Sequence, residues 1–119
     1  MSSKSAPDDL LPLPPAVFHI LVSLAEGDRH GYAIIQDVAA RSDGTVKLGP
    51  GTLYRSIQRM LEQDLIIETA TRPARDEDDE RRRYYRISPL GRQVAAAEAE
   101  RLAGLVRLAR ATGLIPRKA

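Results

Sequence analysis

Two arginines four residues apart, Arg55 and Arg59, share a short segment with Gln58 and the hydroxyl-bearing Thr52, Tyr54 and Ser56. These residue types suit nucleic-acid recognition. A guanidinium offers paired donors to guanine O6 and N7, and a glutamine amide pairs with adenine. Hydroxyls bond phosphates or bases. Residues four apart on a helix lie on one surface, so both arginines would face the same partner. Pro50 and Gly51, just ahead, allow close backbone approach and turn helix N–H groups toward a phosphate. A second basic group, Arg72 with the run Arg81, Arg82 and Arg83, lies downstream. Arginines placed there would hold phosphates, giving affinity without sequence information.

Each group has a plainer reading. The first also fits a solvated helix face, and the second fits pairing with Asp76, Glu77, Asp78, Asp79 and Glu80. Five carboxylates at a loop tip would repel a DNA backbone. The expectation is therefore that the tip points away while the arginines at its base make contact.

Other chemistry is thinly represented. The chain has no Cys, which excludes disulfides and thiolate metal sites. Its two histidines are His19, on an apolar helix, and His30, at a helix start. The first reads as a core or interface residue and the second as a cap, not as metal ligands. No Ser-His-Asp spacing, phosphate-cradling glycine loop or pair of catalytic carboxylates is present. Neither enzymatic activity, a metal nor a cofactor is expected. Aromatic residues are only 4%, without Trp, so no large aromatic-walled pocket is expected. The net charge of +2 hides strong local contrasts and is compatible with nucleic-acid binding. The longest nearly apolar run, 16–25, is too short to span a membrane. No secretory signal is apparent, and the chain is expected to be cytoplasmic.

A chain of 119 residues reads as one domain. Residues 1–13 are expected to form a flexible arm that becomes ordered near Leu10. Pro14 and Pro15 suit a first helical turn. Val17, Ile20, Leu21 and Leu24 then follow helical periodicity, with Phe18 and Val22 widening the stripe. Gly27 ends that helix. A second, from Asp28 or His30, carries Gly31, Ile34, Ile35 and Val38 inward and stops near Ser42. Residues 45–48 read as a short extended piece. A third helix runs from Pro50 to about Gln63, with Leu53, Ile57, Met60 and Leu61 buried. Residues 65–71 and 82–88 are β-rich, and the charged segment 73–80 must join them as a hairpin loop. On the second strand Tyr85 and Ile87 are placed on the core side, and Tyr84 and Arg86 on the other. Ser88 caps, and Pro89 opens, a last helix reaching about Ala111, with Gly113 at its end. Its apolar stripe is too long for one small core, so part of it should face a second copy.

Helix, strand, charged loop and strand is the order of a winged helix-turn-helix. The fold class read here is mainly α with a small β-hairpin, carrying a long C-terminal dimerisation helix. The winged domain covers 14–88, the dimerisation helix 89–112 and a tail 113–119. The expected dimer interface comprises Phe18, Val22, Val94, Leu102, Leu105 and Leu108.

The segments HGYAI (30–34), GPGTLYRSIQRMLEQDLI (49–66) and RRYYRISPLG (82–91), with LPLPPAVFHILVSLAEG at the start, resemble the PadR-like family of bacterial transcriptional regulators. The resemblance covers roughly 11–108. It implies a winged-helix homodimer that represses by binding a double-stranded DNA operator, with Thr52, Leu53 and Tyr54 beginning the recognition helix. It also implies Tyr85 as the hairpin's core anchor, with Arg86 beside it. It places the chain with the shorter members and leaves less room for a small-molecule effector pocket. The acidic loop tip departs from the family's usual basic or glycine-rich one. The alternative function is a winged-helix protein-interaction module that never touches DNA.

Overall fold

The computed structural model describes residues 7–69 and 83–116. Pro7–Leu10 forms a single 3-10 turn, followed by helices α1 (Pro15–Leu24), α2 (Gly31–Arg41), α3 (Pro50–Glu62) and α4 (Pro89–Ala111). Three short strands complete the fold: β1 (Arg29–His30), β2 (Ile66–Thr69) and β3 (Tyr84–Ile87). They form one antiparallel sheet in the order β1-β3-β2. The expected hairpin is therefore β2 and β3, with Ile66 opposite Ile87 and Glu68 opposite Tyr85. The third strand, β1, pairs Arg29 with Tyr85 and His30 with Tyr84. Residues 45–48 form no strand, though Leu48 is buried in the core and Val46 packs against it.

α1 is the hub of the core. A proline at its first position costs no hydrogen bond. Its stripe of Val17, Ile20, Leu21 and Leu24 is buried against Ile34 and Val38 of α2, Leu53, Ile57 and Met60 of α3, and Val94 of α4. Burying a side chain of this size contributes about 1.5–3 kcal/mol relative to exposure, so the stripe as a whole decides whether the domain folds.

Local signals set the element ends. His30 caps α2, its Nδ1 accepting from the Ala33 N–H at 3.2 Å. After α2 the chain reverses through Asp43 and Gly44, at φ 54° and 81°. Ser42 stitches that turn, its Oγ donating to the Val38 carbonyl at 2.9 Å and accepting from the Val46 N–H at 3.0 Å. Ser88 caps α4, accepting from the Gly91 N–H at 2.9 Å while its hydroxyl donates to the Asp64 carbonyl at 2.7 Å. One side chain thus both starts α4 and fixes it to the end of α3. Gly113, at φ 83°, closes α4 as a left-handed terminator.

Several expectations are corrected. The segment 7–13 is not a free arm. Its 3-10 turn packs beside α4, Leu13 is buried, and Leu10 and Leu11 rest on the core. Residues 1–6 lie outside the described residues, as does the acidic loop 73–80. Tyr84, placed by alternation on the open face of β3, is buried like Tyr85. The reason is β1: it covers that edge and sets the His30 ring edge-on to Tyr84, with centroids 5.3 Å apart. Val94 is corrected as an interface residue. It is fully buried in the core of the single chain, so its side chain is not available to a partner.

Candidate nucleic-acid interface

α3 has the strongest segregation of apolar and polar faces in the chain. Leu53, Ile57 and Met60 are buried, and the opposite side exposes Thr52, Arg55, Gln58, Arg59 and Glu62. The spacing of three and four residues that buries one face forces these side chains into solvent. Gly49 at the N-cap supplies no side-chain cap and Pro50 no N–H, so the helix start is left uncluttered. Thr52 Oγ1 accepts weakly from Arg55 at 3.5 Å, and Gln58 donates to Glu62 at 3.4 Å. Ser56 is half-buried on the flank. Tyr54 is 51% exposed, and its ring lies over Gly31 at the start of α2.

Arginines with and without a carboxylate partner both occur among the described residues; Arg92, Arg107 and Arg110 on α4 have none. Arg29, Arg41, Arg83, Arg86 and Arg101 each pair with a carboxylate. Among the described residues, Arg55 and Arg59 pair with none. Unpaired guanidinium groups on an open helix face keep their donors available to an anion. The pairs of Arg29, Arg41, Arg86 and Arg101 brace the fold, whereas Arg83 is exposed and only loosely held.

Arg86 grips Asp28 through two bonds of 3.1 and 2.9 Å, joining β3 to the turn before β1. The hydrogen bond and charge of Asp28 push the Arg86 guanidinium further above its already high value. Arg41 bridges Asp37 at 2.6 Å and Glu26 at 2.5 Å, tying α2 to the end of α1. At Asp37, partial burial acts to raise the carboxyl. The Arg41 hydrogen bond and the charges of Arg29 and Arg41 outweigh it and hold the group below its usual value. These ties brace α1, α2 and the sheet, the frame on which α3 is mounted.

Of the hairpin arginines, Arg72, Arg81 and Arg82 lie outside the described residues. Arg83 is exposed and sits 3.7 Å from Glu68 on the neighbouring strand. Among the described residues, its carboxylate partner is therefore Glu68. An exposed pair at this distance contributes little and is readily exchanged for another anion.

α4 continues beyond the core. The face that buries Gly91, Val94 and Glu98 carries on as Leu102, Leu105 and Ala109, flanked by Val106 and Leu108. Leu102 is half-buried, whereas Leu105 is 49% and Leu108 63% exposed. Phe18 and Val22, on α1, are both half-buried. Glu98, only 3% exposed, accepts from Arg101 at 2.9 and 2.8 Å. That bond, helped by a backbone bond from Leu13, holds the Glu98 carboxyl below its usual value despite burial. Neither the burial of Glu98 nor the Asp28–Arg86 clasp had a local signal in the sequence.

Among the described residues, no group of three or more acidic or histidine side chains could hold a metal ion. No described helix is long and apolar enough to cross a membrane.

The sequence pattern of the transcriptional regulator PadR-like family matches residues 20–97. The chain belongs to that family. Members are transcriptional regulators, and the winged-helix fold of this PadR-like protein supports a DNA-binding regulator. Its fold matches a PadR family transcription regulator from hypervirulent Clostridium difficile with a TM-score of 0.69 at 20% identity. That match covers 83% of this chain and 98% of the other. In sequence, the chain is 37% identical over 73 residues to a protein X of Lysinibacillus sphaericus, covering 61% of this chain and 64% of that one. It is also 35% identical over 86 residues to a 37.1 kDa transposon protein of Streptomyces fradiae. That second match covers 72% of this chain but 22% of the relative. The chain thus spans less than two thirds of either relative's length.

Proposed function

We propose that this PadR-like protein is a homodimeric, sequence-specific repressor that reads its operator with α3. The observation that carries the reading is the exposed face of α3, where Arg55 and Arg59 stand four residues apart beside Thr52 and Gln58 and, among the described residues, have no carboxylate partner. Thr52, Arg55, Gln58 and Arg59 contact base edges in the major groove, and Ser56 and Tyr54 serve the flanks. Arg83, with Arg72, Arg81 and Arg82, holds phosphates beside the groove. Contacts of the first kind specify sequence and those of the second position the protein.

Two copies join through the exposed end of α4 and the neighbouring surface of α1. Leu102, Leu105 and Leu108 supply the apolar contact, with Phe18 and Val22 beside them. Support comes from α4 itself, which projects an apolar face past the core it serves. A two-fold dimer would present its α3 helices to half-sites about one helical turn apart, roughly 34–36 Å. The regions follow from these roles: a winged DNA-binding domain over 14–88, a dimerisation helix over 89–112 and a tail over 113–119. Such a protein acts in the cytoplasm, where its DNA is.

The test is direct. Purified protein is mixed with fragmented genomic DNA, and the retained fragments are sequenced. The proposal expects a short inverted repeat common to the retained fragments. Recovery no different from input DNA would refute it and favour a protein-interaction role for the same face.

A further inference from the structure

The segments HGY and GTLY, far apart in sequence, meet at one side chain. Tyr54 of α3 reaches across the first residue of α2. A methyl group at Gly31 would collide with the Tyr54 hydroxyl, stand 2.9 Å from its ring carbon Cζ and 3.2 Å from Leu53 Cδ2. Gly31 does not adopt the left-handed backbone, since that conformation is confined to Gly44 and Gly113 among the described glycines. What position 31 requires is therefore empty space, not a special φ.

The same spot meets the sheet. Gly31 directly follows β1, whose Arg29 is the register partner of Tyr85. Burial pushes the Tyr85 hydroxyl up, and the nearby Glu68 and Tyr54 add to that effect. The collision would fall on the far end of a ring that is 51% exposed, while Leu53 beside it is fully buried. The ring has somewhere to go and the helix backbone does not. An added methyl would thus displace Tyr54 outward, toward the exposed face of α3, without dismantling the core.

We infer that Gly31 is a positioning residue for DNA binding: by lacking a side chain it lets Tyr54 lie across the start of α2, which fixes the first turn of α3 and keeps the Thr52–Arg55 face clear. The inference rests on the operator-binding reading given above and adds to it a residue that touches no DNA. Tyr54 in this arrangement is a strut between α3 and α2, and its contact with DNA is secondary to that role.

The test is a double-mutant cycle with Gly31→Ala and Tyr54→Ala in the full chain, read in two ways. The first is affinity for a duplex carrying the repeat retained by the parent protein, measured well below the thermal midpoint of every variant. Gly31→Ala is expected to weaken binding roughly tenfold, within the range for coupled residues in contact, with helical content and oligomeric state unchanged. In the Tyr54→Ala background the same change should cost nothing further. Tyr54→Phe, which removes the colliding oxygen, should recover part of the loss. A purely structural role would lower the midpoint yet leave the affinity of the folded protein at the parent value, and that result would overturn the inference. So would additive losses from the two alanines. The second readout is the thermal midpoint of the same four proteins without DNA. If the parent retains no duplex, the operator-binding reading fails and the functional part of the inference with it. The thermal cycle then decides the packing part separately, non-additive shifts supporting the Gly31–Tyr54 contact and additive shifts refuting it.

Discussion

Replacing Gly91 by alanine should destabilise the protein, although alanine is the better helix former. A methyl group on Gly91 would run into the backbone carbonyl of Leu65 and come within 3.0 Å of Ile87 Cγ1. A backbone oxygen cannot swing aside as a side chain does. Relief requires α4 to move away from the α3–β2 junction, where the Ser88 N–H donates to Leu65 at 3.0 Å and the Ser88 hydroxyl to Asp64 at 2.7 Å. Overpacking a tight site costs about 1–3 kcal/mol, and a collision with backbone belongs at the upper end. Against this, glycine to alanine within a helix contributes about 1 kcal/mol in the other direction. The net expectation is a loss of about 2 kcal/mol, or a midpoint lower by roughly 8–16 °C on the scale for small domains. Gly104, in the same helix, is the control. There a methyl group would meet only Arg107 Nη2, at 3.5 Å. Gly104→Ala should therefore raise stability by about 0.5–1 kcal/mol, the helix-propensity gain alone. Urea and thermal melts followed by circular dichroism measure both. Equal effects at the two glycines, or a stabilised Gly91→Ala, would show that the α4 junction is not packed as described.

Leu105→Glu should convert the dimer to monomer and weaken operator binding with it, while leaving the fold intact, because Leu105 is half exposed in the single chain. Light scattering that still reports dimers would remove that residue from the interface. Glu98 carries a pH signature. Its folded carboxyl is held below the ordinary value, so its stabilising effect is fully present above the unfolded value and disappears as pH falls through the lower, folded one. Glu98→Gln should thus be less stable than the parent at pH 7 and approach it under acid conditions. A gap that stays constant down to acid pH would contradict the Arg101 and Leu13 contacts. Operator affinity should also fall steeply with salt, by about 10³–10⁵ between 50 and 200 mM if 6–10 phosphates are contacted. A flat response would argue against phosphate clamping by the hairpin arginines.

The helical part of the fold was legible because its signals are local. Pro50 at the start of α3, Ser88 and Pro89 at the start of α4 and Gly113 at its end place those boundaries within a residue. Periodicity identified the buried stripes of α1 and α3 for the same reason. What escaped was non-local. β1 is two residues long and has no period of its own to read. Without it, alternation put Tyr84 on an open face that is in fact covered. Val94 lies on a face that turns apolar again at Leu102 and Leu105, and periodicity does not mark where along it the core ends and free surface begins. The packing of residues 7–13 depends on α4, far downstream in the sequence, where Glu98 takes a backbone bond from Leu13. In the candidate site, residue types and spacing singled out Arg55 and Arg59. That neither has a carboxylate partner among the described residues is a property of the folded chain. Gly31 read simply as an inward helix residue until Tyr54 was seen lying across it.

The central claim is that the arginine-bearing side of α3 reads DNA. Fluorescence anisotropy with the duplex recovered from genomic DNA tests it, comparing the parent with Arg55→Ala and Arg59→Ala. Each substitution should cost about 1–3 kcal/mol on the operator and much less on a duplex of unrelated sequence. Variants that bind both duplexes as the parent does would contradict the account.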